Sequence, residues 1–298
     1  MNILINLIRF SRLHTVVGTS LSIVALYFMA LSSHPGSDHY GSLLVLTLVS
    51  CLGANIYIVG LNQITDIDID KINKPYLPLA SGVFSRRFGL IIIITSILLS
   101  LIIGFYLGKY LLLTVLLSLF LGTIYSLPPI RLKRFPFWAA FCIVAVRGVI
   151  VNIFLFLHFN SWINQTSQVT SMVLALTATI FIYSIIIAWF KDIPDMEGDR
   201  KFNISTFSIR FGAERIFLLG NILLSLTFLT LIVFAYFNPN LGNRPLMMGS
   251  HFLFFIALIY FSKKTDIKQP QLISKYYQFI WVLFFGEYIV FATSQLLN

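Results

Sequence analysis

Nine apolar runs, at about 13–33, 41–62, 88–108, 110–127, 137–157, 170–190, 216–237, 245–262 and 276–296, follow one another along this 298-residue chain. Each approaches the roughly 20 residues a helix needs to cross a bilayer. Hydrocarbon offers no partner to backbone N–H and C=O groups, so spans of this length satisfy them internally as α-helices. Turn compositions separate the runs at His34–Asp38, Gly108-Lys109, Leu127-Pro-Pro, Asn160–Gln168 and Asn238–Pro245. No stretch remains for a separate soluble domain, and residues 1–298 are expected to form a single integral-membrane domain. The composition agrees, with 58% hydrophobic and 11% charged residues against about 25% charged in soluble domains. Residues 1–33, with Arg9 and Arg12 ahead of a long apolar run, read as a first transmembrane helix rather than a signal peptide. Cys51 and Cys142 lie inside apolar runs with no partner at metal spacing, so neither a disulfide nor a zinc site is expected.

Nine spans put alternate connections on opposite faces, and the basic residues test that count. One face collects Arg9, Arg12, Lys71, Lys74, Arg86, Arg87, Arg131, Lys133, Arg134, Lys191, Arg200, Lys201, Arg210, Arg215, Lys263, Lys264, Lys268 and Lys275, which is 18 of the 21 Lys and Arg residues. Such a bias marks the cytosolic or stromal side of a multi-pass protein. It also accounts for the net charge of +10 without a nucleic-acid partner. The expected fold is an all-α polytopic bundle of nine transmembrane helices. The second and sixth spans both end in acidic connections on the basic face, which predicts two four-helix units in the same orientation plus a ninth helix.

Those connections hold most of the acid in the chain. Asp66, Asp68 and Asp70 follow Asn62, and Asp192, Asp195, Glu197 and Asp199 follow Lys191; together they are seven of only 11 acidic residues. At about 100° per residue, Asn62, Asp66 and Asp70 form one oxygen-bearing stripe, with Asp68 facing elsewhere. If helical, Asp192, Asp195 and Asp199 form a second stripe that leaves out Glu197; Pro194 and Gly198 leave an irregular or broken helix open there. Stacked carboxylates repel one another unless a cation neutralises them. Open sets of two or three hard oxygen ligands suit Mg²⁺, which keeps several waters and completes its shell with substrate phosphate. Two such sets facing each other fit two magnesium ions bridged by a diphosphate. A solvated acidic surface is the bland alternative, and two clusters in equivalent places on one face weigh against it.

Lys74 and the loop Tyr125-Ser-Leu-Pro-Pro-Ile-Arg131-Leu-Lys133-Arg134 lie on the same face, placed to neutralise a departing diphosphate. Lys191 stands beside the second cluster, either in that role or as a topology signal. Arg147 falls near the centre of the fifth span, where a charge costs about 3 kcal/mol unless it faces a cavity or a partner. Two readings are open for it, a structural ion pair with Glu287 of the last span or contact with an anionic substrate. His14, Asn55, Asn152 and His158 read as polar groups between packed helices. Tyr57, Phe181 and Tyr183, upstream of the clusters, are candidates to line an apolar tunnel for an isoprenoid tail.

Four motifs carry a resemblance: Arg9-Phe-Ser-Arg12-Leu-His14-Thr; Asn62-xxx-Asp66-xxx-Asp70 with Lys71-Ile-Asn-Lys74-Pro and Leu77-Pro-Leu-Ala-Ser-Gly82; Tyr125-Ser-xx-Pro-xx-Arg131-Leu-Lys133; and Lys191-Asp-Ile-Pro-Asp-Met-Glu-Gly-Asp199. With them the chain resembles the UbiA superfamily of intramembrane aromatic prenyltransferases, and within it the homogentisate phytyltransferase branch of cyanobacteria and plastids. Leu13 stands where proline is common after the first motif's second arginine. The resemblance implies that Asn62, Asp66, Asp70, Asp195 and Asp199 form the magnesium face and that Lys74, Arg131 and Lys133 bind diphosphate; Tyr125, Lys191, Arg147 and Arg12 are the further candidates for the substrate site. It further implies Mg-dependent transfer of a phytyl group to homogentisate with decarboxylation, as in tocopherol synthesis, in a plastid or cyanobacterial membrane. A chlorophyll synthase or polyprenyl quinone enzyme of the same family is the nearest alternative. A cation transporter using paired aspartates would favour ionisable groups along a midplane path, whereas these cluster at one face.

Overall fold

The computed structural model describes residues 3–32, 40–238 and 242–297. In order, the helices are α1 (Ile3–Ser11), α2 (Leu13–Leu31), α3 (Gly41–Thr65), α4 (Ile67–Asn73), α5 (Arg86–Leu107), α6 (Lys109–Ser126), α7 (Pro136–Ile143), α8 (Val151–Ile163), α9 (Ser171–Lys201), α10 (Phe207–Phe211), α11 (Ala213–Phe237), α12 (Arg244–Lys264) and α13 (Pro270–Leu296). A π-helical stretch, Val144–Ile150, joins α7 to α8 into one span. Among the described residues nine helices are long and apolar enough to cross a membrane, as the sequence predicts. The turn expected at 34–38 and residues 239–241 of the one expected at 238–245 lie outside the described residues. Asn160, expected in a loop, instead sits in the last turn of α8, where its side chain accepts from Asn164 at 2.6 Å and donates to the Gln168 carbonyl at 2.8 Å.

The helices are apolar all round and sort by side-chain size. On α5 the large residues Ile91, Ile94, Leu98, Ile102 and Phe105 are exposed along one stripe. The opposite face carries the buried Gly89, Ile93, Ser100 and Gly104 and packs on α3. There a Cβ on Gly53 would lie 2.8 Å from the Ser96 carbonyl, and Ser50 donates to the Ser100 carbonyl at 2.9 Å. Without a hydrophobic drive between helices in lipid, such close backbone approach and interhelical hydrogen bonding supply the association.

Helices α2, α3, α5 and α6 form the first four-span unit, and α7–α8, α9, α11 and α12 the second. The units meet where α8 packs on α2 and α6. Helix α13 closes the assembly against α2, α9 and α12. Its Glu287 does not pair with Arg147. It lies fully buried, with Oε2 3.0 Å from Nε2 of His251 on α12, and its Oε1 accepts from the Tyr183 hydroxyl of α9 at 3.3 Å. That network joins three helices and satisfies a carboxylate whose burial alone would be costly.

Helix continuity differs between the two acidic clusters: the first, expected as one helical stripe, breaks, and the second, where Pro194 and Gly198 left both forms open, does not. α3 stops at Thr65, because Asp66 takes φ −118° and ψ 17°, and α4 restarts one residue later. α9 instead runs through Pro194 to Lys201. Proline removes one backbone hydrogen bond, but this segment is packed on α4, α7 and α10, and tertiary packing supplies most helical stability.

Candidate active site

A cavity of about 270 Å³ opens between the two units. All six predicted metal-site residues, Asn62, Asp66, Asp70, Asp192, Asp195 and Asp199, line it, with Arg12, Lys74, Tyr125, Lys133, Arg147 and Lys191. Asp68 and Glu197 do not. Asp68 pairs with Lys71 at 2.8 Å and Glu197 with Lys201 at 2.9 Å, both pairs exposed at the surface.

The local backbone explains how each charge reaches the cavity. Arg12 sits in left-handed conformation, φ 53°, at the corner between α1 and α2, and its Nη2 donates to Oδ1 of Asn62 at 3.3 Å. Arg131, also left-handed at φ 40°, ends the turn after α6. Its Nη2 donates to Oδ1 of Asp66 at 2.9 Å, and Lys133 Nζ donates to the same oxygen. Across the cavity, Lys74 pairs with Asp195, and Lys191 lies 3.1 Å from Asp192 and donates to the Tyr125 hydroxyl at 3.3 Å.

Asn73 locks the two motifs together. Its Nδ2 donates to the Asp195 carbonyl at 3.2 Å, while its Oδ1 accepts from the Gly198 N–H at 3.1 Å. Gly198 is required because a Cβ there would overlap the Asn73 side chain. Asn73 is not among the residues expected at the site. Its signal was the position three residues after Asp70, on the same side of a helix.

Charge here is partly paired and partly held in reserve. Among the described residues neither Asp70 nor Asp199 forms an ion pair, and Oδ2 of Asp70 is buried with no hydrogen-bond partner. Burial raises the Asp70 carboxyl from 3.8 to about 6, against the opposing pull of Arg12 and Lys74. Burial lowers the Lys133 ammonium from 10.5 to about 8, against the pull of Asp66. The Nε atoms of Arg12 and Arg131 are likewise buried without acceptors. The site thus has spare donors for an anion and a spare carboxylate oxygen for a cation. Among the described residues no three His, Cys, Asp or Glu side chains close around one ion position. The carboxylates come instead in open sets, the arrangement that leaves coordination places for water and phosphate oxygens.

Deeper in the cavity the walls are apolar, with Ile58, Leu121, Ile143, Val146, Val151 and Phe284 among them. The three aromatics expected to line a tunnel lie elsewhere. Tyr57 faces α6, its hydroxyl 2.8 Å from Thr123; Phe181 faces outward; and Tyr183 is held in the core by Glu287. Tyr277, Trp281, Phe284 and Tyr288 of α13 line it instead. They recur every three or four residues along one helix face, the periodicity that could have singled them out.

A family model described as the UbiA prenyltransferase family matches residues 21–283. The chain belongs to the UbiA prenyltransferase family. It is 41% identical over 289 residues to a homogentisate phytyltransferase of Synechocystis sp., covering 96% of this chain and 94% of that protein. It is 39% identical to homogentisate phytyltransferase 1, chloroplastic, of Arabidopsis thaliana, covering 95% of this chain and 73% of that one. Its fold matches a UbiA homolog from Archaeoglobus fulgidus solved with GPP and Mg²⁺, with a TM-score of 0.66 at 19% identity over 97% of this chain and 99% of that one. The protein is therefore an integral-membrane aromatic prenyltransferase, and the nine-span bundle is the fold of its family.

Proposed function

We propose that this enzyme transfers an isoprenyl group, phytyl, from its diphosphate to homogentisate, with loss of the acceptor's carboxylate as CO₂. The observation that carries the reading is one cavity with two characters. Its mouth holds five aspartates among Arg12, Lys74, Lys133 and Lys191, with Arg131 paired to Asp66 behind them and unpartnered donor and acceptor atoms of both signs; its depth is apolar and aromatic. A diphosphate on a long hydrocarbon tail has the same two characters. The names of the Synechocystis and Arabidopsis relatives support the donor and acceptor.

The residues divide the work. Lys74, Arg131, Lys133, Lys191 and Arg12 bind the diphosphate, with Tyr125 orienting Lys191. Asn62, Asp66 and Asp70 on one wall and Asp192, Asp195 and Asp199 on the other would hold Mg²⁺, two ions in this reading. The unsatisfied Asp70 oxygen and the open carboxylate sets fit that ion. When bound, magnesium supplies neutralisation of phosphate charge that the protein's own cations, largely engaged by carboxylates, supply only in part. The basic side chains stabilise charge as the allylic C–O bond breaks and its electron pair leaves with the diphosphate. An electron-rich ring carbon attacks C1 of the allylic cation and then loses its proton. As CO₂ departs, the acceptor's methylene carbon takes up a proton, so the overall exchange is proton-neutral. The apolar walls keep water from capturing the cation.

The whole chain, residues 1–298, serves as one catalytic domain, with the mouth on the stromal or cytosolic side of a plastid or cyanobacterial membrane. The test offers purified protein homogentisate, 4-hydroxybenzoate and chlorophyllide against phytyl, geranylgeranyl and longer diphosphates, with product mass as the readout. The expected product is homogentisate plus phytyl less CO₂, formed only with added Mg²⁺. Turnover confined to chlorophyllide or 4-hydroxybenzoate would overturn the acceptor, and a longer preferred chain would overturn the donor.

A further inference from the structure

Arg147 is the cation in this cavity that the diphosphate site leaves unused. It lies 11 residues into the span that starts at Pro136, or about 16 Å along the helix axis from the basic loop. Among the described residues its guanidinium makes no ion pair and no side-chain hydrogen bond. It rests instead on the ring of Trp281, 4.6 Å from the centroid, with Phe284 at 5.9 Å. Glu287, the acid of the last span that could have answered it, is taken by His251 and Tyr183. A guanidinium inside the membrane is expected to face a partner or a cavity, and this one faces the cavity.

The backbone around it is built for that placement. Arg147 lies in the π-helical stretch Val144–Ile150, an irregularity that recurs at functional sites. Asn152 braces it, its Nδ2 donating to the carbonyls of Arg147 and Gly148, each at 3.1 Å. Tyr288 in turn donates to Oδ1 of Asn152 at 2.8 Å. The chain Tyr288–Asn152–backbone fixes the π turn, and the turn aims the arginine.

We propose that Arg147 binds the carboxylate of the aromatic acceptor, and that Asn152 and Tyr288 are positioning residues for it. This rests on the reading of the cavity as a site for a prenyl diphosphate and an aromatic acid. A guanidinium presents a planar fork that matches a carboxylate in bidentate fashion. Trp281, with His14 edge-on to it at 4.9 Å, gives an aromatic ring an apolar surface beside that fork. Held this way, the acceptor has its acid group at the deep end and its ring free to face the diphosphate-bearing end. The residue thereby selects acceptors that carry a carboxylate over those that lack one.

The test measures KM and kcat for wild type, Arg147→Gln and Arg147→Lys with phytyl diphosphate and Mg²⁺, against homogentisate and its carboxylate-free analogue 2-methylhydroquinone. Arg147→Gln is expected to raise KM for homogentisate by about 10- to 100-fold, the size of a lost hydrogen-bonded charge pair. KM for phytyl diphosphate should stay within about twofold, and the wild-type preference for homogentisate over 2-methylhydroquinone should vanish. Arg147→Lys restores part of that preference. Tyr288→Phe, which removes only the hydroxyl on Asn152, shifts KM for homogentisate the same way by a smaller factor, and it carries the test should Arg147→Gln not fold. Equal losses with both acceptors, or a rise confined to KM for the diphosphate, overturn the proposal. Wild type that uses 4-hydroxybenzoate but not homogentisate overturns the acceptor assigned above, and the same comparison then runs on that acid. Wild type that uses only acceptors without a carboxylate overturns both.

Discussion

In the first acidic cluster the helix gives way at Asp66, whose carboxylate is gripped by both Arg131 and Lys133 from the loop after α6. In the second the helix runs unbroken through Pro194, and Asp195 meets a single cation, Lys74, which belongs to the first motif. The chain thus repeats a pattern of acids without repeating the way they are neutralised. One unit supplies cations to its own carboxylate and also to that of its partner. The second unit returns only Lys191, whose ammonium reaches Tyr125 across the cavity. Repeated backbones set the acids face to face, and the unequal cations tie the halves into one site.

The sharpest way to break the comparison is to delete one acid from each side. Asp66→Ala and Asp195→Ala are each expected to lower kcat/KM by at least about 10²-fold, the scale of losing a preorganised electrostatic group. Both should elute from detergent size-exclusion columns as wild type does. Near-normal activity in both variants would sink the assignment of these carboxylates to the reaction.

The unequal cations predict unequal losses. Lys74→Ala leaves Asp195 without a cation, whereas Lys133→Ala leaves Asp66 still paired with Arg131. KM for the prenyl diphosphate should rise in both, by about 10- to 100-fold, and more for Lys74→Ala. Lys133 also carries a pH signature. Its ammonium is lowered to about 8 by burial, so it is charged below that value and loses its proton above it. In the free enzyme kcat/KM for the diphosphate should therefore fall as pH rises past about 8. Lys133→Arg, which stays protonated, should move that fall to higher pH.

A smaller effect tests the bridge between the clusters. Asn73→Ala removes two hydrogen bonds joining α4 to α9, and the loss should be about 1–3 kcal/mol, read as a lower Tm in detergent with reduced turnover. The smallest effect belongs to the acids outside the cavity. Asp68→Ala and Glu197→Ala remove exposed pairs worth at most about 1 kcal/mol, and activity in both should stay within about twofold of wild type.

The amino-acid sequence by itself determined the nine spans found among the described residues and which acids gather at one cavity. Hydrophobic length and charge placement act residue by residue, and helical spacing alone demotes Asp68 and Glu197. Sequence could not decide where helices yield. Asp66 breaks a helix with no proline in it, and Pro194 sits inside one that stays whole, because the packing of α4, α7 and α10 around α9 outweighs one lost hydrogen bond. Nor could it choose among partners in three dimensions. Glu287 and Arg147 were a plausible pair by composition, yet His251 and Tyr183 claim the glutamate, and the arginine turns to Trp281. The aromatic wall came from α13 rather than from Tyr57, Phe181 and Tyr183, since which face of an all-apolar helix turns inward is settled only by what packs against it. Local pattern fixed which groups are present and at what depth. Tertiary structure decided which of them meet, because burial forces each polar group to find a partner and only the assembled bundle brings the candidates within reach.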